Sequence, residues 1–495
     1  MKTTKIKVSS VILQVVFILS LVFPQSVGFA ATASPADDYL HTKGNKIVDN
    51  SGSEVRLTGI AWFGFETPNS SYHGLWANKL SNILDIVADN GFNLLRVPIS
   101  VQLVNQWRKG IYPMPDSMND YVNPDLKGMN SLELLDASMA YSKKIGLKVM
   151  LDMHRIVSAG QTPTWYSGDY TTEDFEECWK WLANHYKNDD TVIAMDIFNE
   201  PHGKPYYQEE GAKWDGSTDK NNWKYEAEKV GKLIGKINPK LLIMVEGVEA
   251  YPKEGYTYAD KNVDNFYGSW WGGNLRGVSK FPVNLGANQV VYSPHDYGPS
   301  VSQQSWFSGD FNEASLLKDA WEPNWFYIHE NNTAPLLIGE WGGMMDGGIN
   351  QKWMSALASF IAKNNLSHTF WCLNPNSGDT GGILGNDFST IDTAKLALVE
   401  PTLWKDKDLN KYIGLDHQVN LGKNGTHVKS GVIVEPILKG DLNNDGKVNA
   451  CDYVILKKSL VTSTSSKDLS VWDLNSDGII DLKDYILLKE IILKT

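Results

Sequence analysis

The sequence predicts an α/β fold, a (β/α)₈ barrel of the TIM type, followed by a small α-helical module built on paired EF-hand-like loop-helix motifs. Three observations predict it. Eight short apolar runs alternate with longer amphipathic stretches between about Val55 and Trp404. Six of those runs finish in polar or ionisable residues. Near the C-terminus one acidic loop-and-helix pattern occurs twice, at an offset of 32 residues.

In chain order, the first element is a leader. Lys2, Lys5 and Lys7 precede the apolar segment Val11–Phe23, and Ala30, Ala31, Thr32 and Ala33 offer small residues for cleavage. This is the three-part pattern of a secretory signal, too short for a span of ~20 residues. Residues 1–33 are therefore set apart, and a secreted, extracellular protein is expected. The composition of the full chain, 42% hydrophobic and 21% charged residues, is that of a globular protein. A formal charge of −12, with both signs interspersed, argues against nucleic acid or an anionic membrane as the partner. The 18 Trp and 21 Tyr suit stacking against weakly polar flat ligands such as sugar rings, beyond their use in packing. Cys178, Cys372 and Cys451 fit no zinc spacing and are too few to hold the protein together by disulfides.

The eight strand candidates are VRLTGIAWFG (55–64), NLLRVPIS (93–100), KVMLDMHR (148–155), VIAMDIFNEP (192–201), LLIMVEGVE (241–249), QVVYSPHDYG (289–298), LLIGEWGG (336–343) and SHTFWCLNP (367–375). Helical patterns such as Lys79–Asn90, Leu132–Ile145 and Asp174–Tyr186 fill the intervals. Short apolar runs that stop at turn signals read as buried parallel strands. Eight strand-helix units in one domain fit a barrel with its chemistry at the carboxyl ends of the strands. A doubly wound open sheet is the alternative, weakened because no GxGxxG or P-loop follows an early strand.

The strand ends supply Arg96, His154, Asn199 with Glu200, Glu246, His295 with Tyr297, and Glu340. A barrel brings such ends to one rim, and a pair of glutamates flanked by two histidines, an arginine, a tyrosine and an asparagine is hard to explain as packing. Pro201 cannot continue a helix and is expected to push Glu200 into an extended conformation. Residues 34–404 form the barrel domain in this reading. Residues 405–437, with charged, Gly- and Asn-rich pieces, read as a linker or irregular extension, and 438–495 as the terminal module.

In that module, oxygen-bearing side chains fall at loop positions 1, 3, 5, 9 and 12, with Gly at position 6. They are Asp441, Asn443, Asp445, Asn449 and Asp452 in the first loop, and Asp473, Asn475, Asp477, Asp481 and Asp484 in the second. Lys447 and Ile479 would add the carbonyl at position 7. This spacing supplies the six or more oxygens that Ca²⁺ needs, so two structural Ca²⁺ ions are expected and no cofactor for catalysis.

These segments also resemble known families. GIAWFGFETPN, LLRVPIS, LDMHR, FNEPHG, VEGVE, WWGGNL, SPHDYG, IGEWGG and NPNSGDTGGIL, in this order, resemble glycoside hydrolase family 5, in its bacterial endo-β-1,4-glucanase (cellulase) branch. The resemblance implies cellulose or a related β-glucan as substrate, with Glu200 as general acid/base and Glu340 as nucleophile of a retaining double displacement. Arg96, His154, Asn199, His295, Tyr297 and Trp371 match the family's other active-site positions. The C-terminal repeat resembles a type I dockerin, which implies a cohesin domain of a cellulosome scaffoldin as partner. Its contact positions 10 and 11 are Ala450 and Cys451 in one half, and Leu482 and Lys483 in the other.

On the chemistry, the acid must be protonated near neutral pH, so a raised pKa is expected for Glu200 from burial and the Glu340 charge. Arg96 and Tyr297 are the expected hydrogen-bond donors to Glu340. Asn199 is expected to hold the sugar 2-hydroxyl, and His154 and His295 to orient carboxylates and substrate. Trp62, Trp271 and Trp371 are the candidate stacking platforms. Glu246 is read as a hydrogen-bonded structural acid, and Asp152, two residues before His154, as a supporting group. Mannan or xyloglucan would be the substrate if the subsite loops select another sugar. A non-catalytic carbohydrate-binding protein is disfavoured because both glutamates are present.

Overall fold

The structure is a computed structural model that describes residues 37–207, 210–287, 289–429, 439–443, 447–461, 469–475 and 479–493. The leader, residues 430–438, and Asp445 and Asp477 of the acidic loops lie outside the described residues.

Eight parallel strands form the barrel: β1 Thr58–Ala61, β2 Leu94–Ser100, β3 Lys148–Arg155, β4 Val192–Asp196, β5 Leu242–Val245, β6 Val290–Tyr292, β7 Leu337–Ile338 and β8 Ser367–Phe370. Their order in the sheet is β6-β5-β4-β3-β2-β1-β8-β7. The two ends of this sheet meet through parallel bridges Tyr292–Leu336 and His295–Glu340, with the Asp296 N–H donating to the Glu340 carbonyl at 3.0 Å. The barrel is thus closed by backbone contacts that themselves carry two of the rim residues.

Period-two alternation sorts the interior into layers. Leu94, Met150, Ala194 and Met244 belong to one buried apolar cluster together with Leu57, Val291 and Leu337. Two residues further along their strands stand Arg96, Asp152, Asp196 and Glu246, all wholly buried. The intervening residues Leu95, Leu151, Met195 and Val245 join the larger core shared with the surrounding helices. Helices Ser131–Lys144 and Thr172–His185 start at capping boxes (Asn130 with Glu133, Thr171 with Asp174), which satisfy first-turn N–H groups.

The runs were longer in the sequence than the strands they form. Val55, placed at the start of the first run, instead belongs with Glu54 to a three-stranded antiparallel sheet with His41–Lys43 and Lys46–Val48. β4 stops at Asp196, so Asn199 and Glu200 lie beyond the ladder. The chain does not leave the barrel at Trp404, the boundary drawn from sequence. Leu415 and Val428 are buried against Leu40, Ile47 and Leu57. Lys148, buried at the start of β3, pairs with Asp38 (2.5 Å) and Asp416 (3.0 Å). Residues 405–429 are therefore an irregular but packed extension. A buried lysine needs both carboxylates, and one of them comes from this segment.

In the C-terminal module, helices Ala450–Val461 and Leu482–Ile492 repeat one arrangement. Leu456 and Leu488 are buried, and the Tyr453 and Tyr485 rings stack at 4.2 Å. No disulfide joins the three cysteines.

Candidate active site

Beyond β4, Glu200 adopts φ +55°, in the left-handed region that non-glycine residues seldom occupy. This corrects the extended conformation expected from Pro201. The Glu200 N–H donates to Glu246 Oε2 at 2.7 Å, a contact that holds the turn. His295 Nδ1 lies 3.1 Å from Glu200 Oε1 and 3.6 Å from Glu340 Oε2. One ring nitrogen of His295 and one oxygen each of Glu200 and Glu340 all lie within 4.8 Å of one another. The two glutamates converge from opposite sides of the barrel seam.

Glu340 is held at both oxygens. Arg96 Nη1 donates to Oε1, and the Tyr297 hydroxyl donates to Oε2 at 2.6 Å. Arg96 is itself fixed from below by Asp196 (Nε to Oδ2, 3.0 Å) and Asp152 (3.1 Å), and it donates to Asn199 Oδ1 at 2.9 Å. That last bond turns the Asn199 Nδ2 away, buried and without a hydrogen-bond partner. His154 Nδ1 stands 2.7 Å from Asp152 Oδ2, and its ring stacks on Trp371 at 5.2 Å, 6° from parallel.

The electrostatics follow from five buried carboxyls facing one guanidinium and two imidazoles. Burial pushes Asp152 up to about 7 and Asp196 up to about 6 despite Arg96. Burial pushes Glu246 well above the carboxylate range. His154 is pushed down to about 3 by burial, with the Glu340 charge opposing, and stays neutral. Burial alone would lower His295, but the charges of Glu246 and Glu340 and the hydrogen bond to Glu200 raise it well above its ordinary value. The expected rise for Glu200 is not found. Burial pushes this carboxyl up, yet the hydrogen bond and charge of His295 outweigh it and hold it below the ordinary range. The sequence reading omitted His295 as a cation, and that reverses the sign.

Of the three tryptophans, Trp371 lines the site, between His154 and Phe63 (5.7 Å). Trp271 is 40% exposed, with its ring parallel to His202 at 3.8 Å. Trp62 is no platform. It is wholly buried, stacked on Tyr72 at 4.0 Å, with Nε1 donating to the His73 carbonyl. It lies on β1's continuation facing the core, a choice of face that the run WFGF does not reveal. The sequence reading missed Asp196, His202 and Phe63. Asp196 was within reach, because it follows Ala194 at period two and must point inward.

The sequence model described as cellulase (glycosyl hydrolase family 5) matches residues 48–377. The chain belongs to glycosyl hydrolase family 5. Endoglucanase G of Acetivibrio thermocellus is 47% identical over 504 residues, covering 89% of this chain and 89% of that protein. Endoglucanase B of the same organism is 40% identical, covering 88% and 87%. Among solved structures, a hyperthermophilic endocellulase of Pyrococcus horikoshii shows a TM-score of 0.66 at 34% identity, covering 74% of this chain and 98% of its own. The catalytic domain of the major endoglucanase of Xanthomonas campestris gives 0.66 at 33%, covering 74% and 99%. This family 5 enzyme is an endoglucanase, and residues 439–493 match the dockerin type I domain.

The endoglucanase's dockerin repeats one loop geometry. Asp452 Oδ1 accepts the N–H groups of Leu442 and Asn443, and Oδ2 that of Asn449. Asp484 does the same with Leu474, Asn475 and Asp481. Asp441, Asn443, Asp452, Asp473 and Asp484 are buried. Burial and the Asp441 charge push Asp452 up. Buried carboxylates of one sign, drawn together in an all-oxygen donor set, fit a hard divalent cation. Ala450, Cys451, Leu482 and Lys483 are exposed at the first turns of the two long helices.

Proposed function

We propose that this protein is a secreted endo-β-1,4-glucanase that cleaves internal β-1,4-glucosidic bonds with retention of configuration and docks through its dockerin to a cohesin of a cellulosome scaffoldin. One oxygen of Glu200 and one of Glu340 lie within 4.8 Å of each other, and this proximity of the two carboxyls carries the retaining assignment. Retaining glycosidases keep their carboxyls ~5–5.5 Å apart, whereas inverting enzymes leave room for a water at ~6.5–9.5 Å.

In the first step a Glu340 oxygen attacks the anomeric carbon while the leaving oxygen takes a proton from Glu200. Arg96 and Tyr297 donate to the two Glu340 oxygens and hold them in place for the attack. In the second step Glu200 removes a proton from water, which attacks the same carbon and frees Glu340. The proton that Glu200 delivers is shared with His295 across their 3.1 Å contact, so the acid need not be neutral before substrate arrives. The unpartnered Nδ2 of Asn199 is the donor for the sugar 2-hydroxyl. Trp371 and Trp271 are the stacking surfaces.

Proton NMR of freshly cleaved cellotetraose is expected to show the β-anomer first, with mutarotation following. Initial α-product would rule out the double displacement. Reducing sugar is expected from carboxymethylcellulose; release from mannan alone would assign another substrate.

Two Ca²⁺ ions, bound by the two acidic loops, stabilise the dockerin, and Ala450, Cys451, Leu482 and Lys483 face the cohesin. No helix among the described residues is long and apolar enough to cross a membrane. In calorimetry of the full chain, EDTA is expected to lower the dockerin transition and leave the barrel transition and carboxymethylcellulose hydrolysis unchanged. An unshifted dockerin transition would count against structural calcium.

A further inference from the structure

Glu246 makes no contact that the double displacement requires, yet it is wholly buried among the groups that do. Its Oε2 accepts the backbone N–H of Glu200 at 2.7 Å. Its Oε1 stands 3.1 Å from His295 Nε2 and 3.5 Å from Arg96 Nη2. On the other edge of the imidazole, Nδ1 lies 3.1 Å from Glu200 Oε1. The ring therefore bridges Glu200 and Glu246.

The surroundings are shaped to hold this carboxyl. The Trp223 indole N–H donates to the Glu246 carbonyl at 2.8 Å. The Gly247 N–H donates to the Gly272 carbonyl at 2.7 Å, and Gly272 itself, at φ +69°, passes so close that a Cβ there would lie 2.2 Å from Glu246 Oε2. Only a residue without a side chain lets the loop seal the carboxyl in.

We propose that Glu246 is a positioning residue for the acid/base, gripping Glu200 through its backbone and His295 through Nε2, and thereby setting how firmly the Glu200–His295 pair holds the proton destined for the leaving oxygen. This rests on the reading of Glu200 as the acid.

The charges that act on His295 come from every neighbouring strand end. Glu200, Glu246 and Glu340 face it directly, and Asp152 and Asp196 from the layer beneath also favour the imidazolium, while Arg96 opposes it. On its own segment, Asp296 faces away to the Trp353 indole, and Tyr297 gives its hydroxyl to Glu340. An amide at position 246 keeps an acceptor for the Glu200 N–H but has no charge to pair with the imidazolium at Nε2, 3.1 Å away. The pair then releases its proton at lower pH.

The test uses the full chain and compares kcat/KM, which reports the first chemical step, on cellotetraose and on 2,4-dinitrophenyl β-cellobioside. The dinitrophenolate leaves without protonation. For Glu246→Gln the alkaline limb on cellotetraose is expected to move to lower pH by about one unit, with a loss of roughly tenfold, below the ~10²–10⁴ that a missing acid costs. The dinitrophenyl substrate is expected to change less than about twofold. Glu246→Asp, which keeps a carboxyl, is expected to keep the wild-type limb. An unmoved limb in Glu246→Gln, or equal losses on both substrates, would overturn the proposal, and so would an Asp variant shifted as far as the Gln variant. Glu200→Gln serves as the control: without a leaving-group dependence there, the acid assignment fails on its own account.

Discussion

Glu340→Gln is expected to lower hydrolysis of carboxymethylcellulose by on the order of 10⁴–10⁶-fold, the scale seen when a covalent nucleophile is deleted. The substitution keeps the shape and leaves oxygen and nitrogen to meet Arg96 and Tyr297, so the fold should persist. What it removes is the anion that attacks carbon. Glu340→Gly goes further and opens a space beside the anomeric carbon. With 2,4-dinitrophenyl β-cellobioside, added azide is expected to restore turnover in that variant and give the α-glycosyl azide, by a single displacement. Glu200→Ala with azide should give the β-azide, because its nucleophile is intact. Exchanged azide products would reverse the two roles, and Glu340→Gln at near wild-type rate would remove Glu340 from the mechanism.

Arg96→Met is expected to destabilise the barrel by about 3–5 kcal/mol, the usual result of removing one partner from a buried ionic cluster. Arg96 is wholly buried and touches Asp152, Asp196, Glu246 and Glu340. Without it these carboxyls face one another in a buried interior. The pH dependence has a definite sign. Asp152 titrates near 7 in the fold against an ordinary value of 3.8, so the folded state binds more protons between those values. Stability therefore falls as pH rises through that window. Loss of Arg96 raises such carboxyls further, so the gap between variant and wild type should stay level below pH ~6 and widen as pH rises through ~6–7, where wild-type Asp196 and Asp152 give up protons that the variant retains, in denaturant titrations. A constant gap, or one that narrows, would show that the guanidinium does not neutralise the cluster.

The site was legible wherever one residue type carries one job at a strand end. Arg96 and Tyr297 were assigned to Glu340 on donor chemistry, and the structure places both against its two oxygens. Glu246 was read as a hydrogen-bonded structural acid and Asp152 as a supporting group, and both are buried beside Arg96. Less legible was anything set by a third partner. The sign of the Glu200 shift depends on His295, which reaches it from two strands away. Trp62 and Trp371 both follow apolar strand residues, yet one stacks on Tyr72 in the core and the other on His154 at the rim.

The sequence by itself determined the barrel, because eight apolar runs with polar ends leave few other ways to bury both faces of parallel strands. It also determined the paired acidic loops, because ligand spacing within one loop is a local property. Only the tertiary structure decided which carboxyls meet. Alternation along a strand says that Asp196 and Glu246 point inward, but not that they share Arg96 and His295 with residues from strands β2, β6 and β7. Only closure of the sheet at the His295–Glu340 bridge brings the first half of the site against the second. Protonation follows from that meeting, since the charge on a buried group is set by the distance and sign of its neighbours and not by its own type.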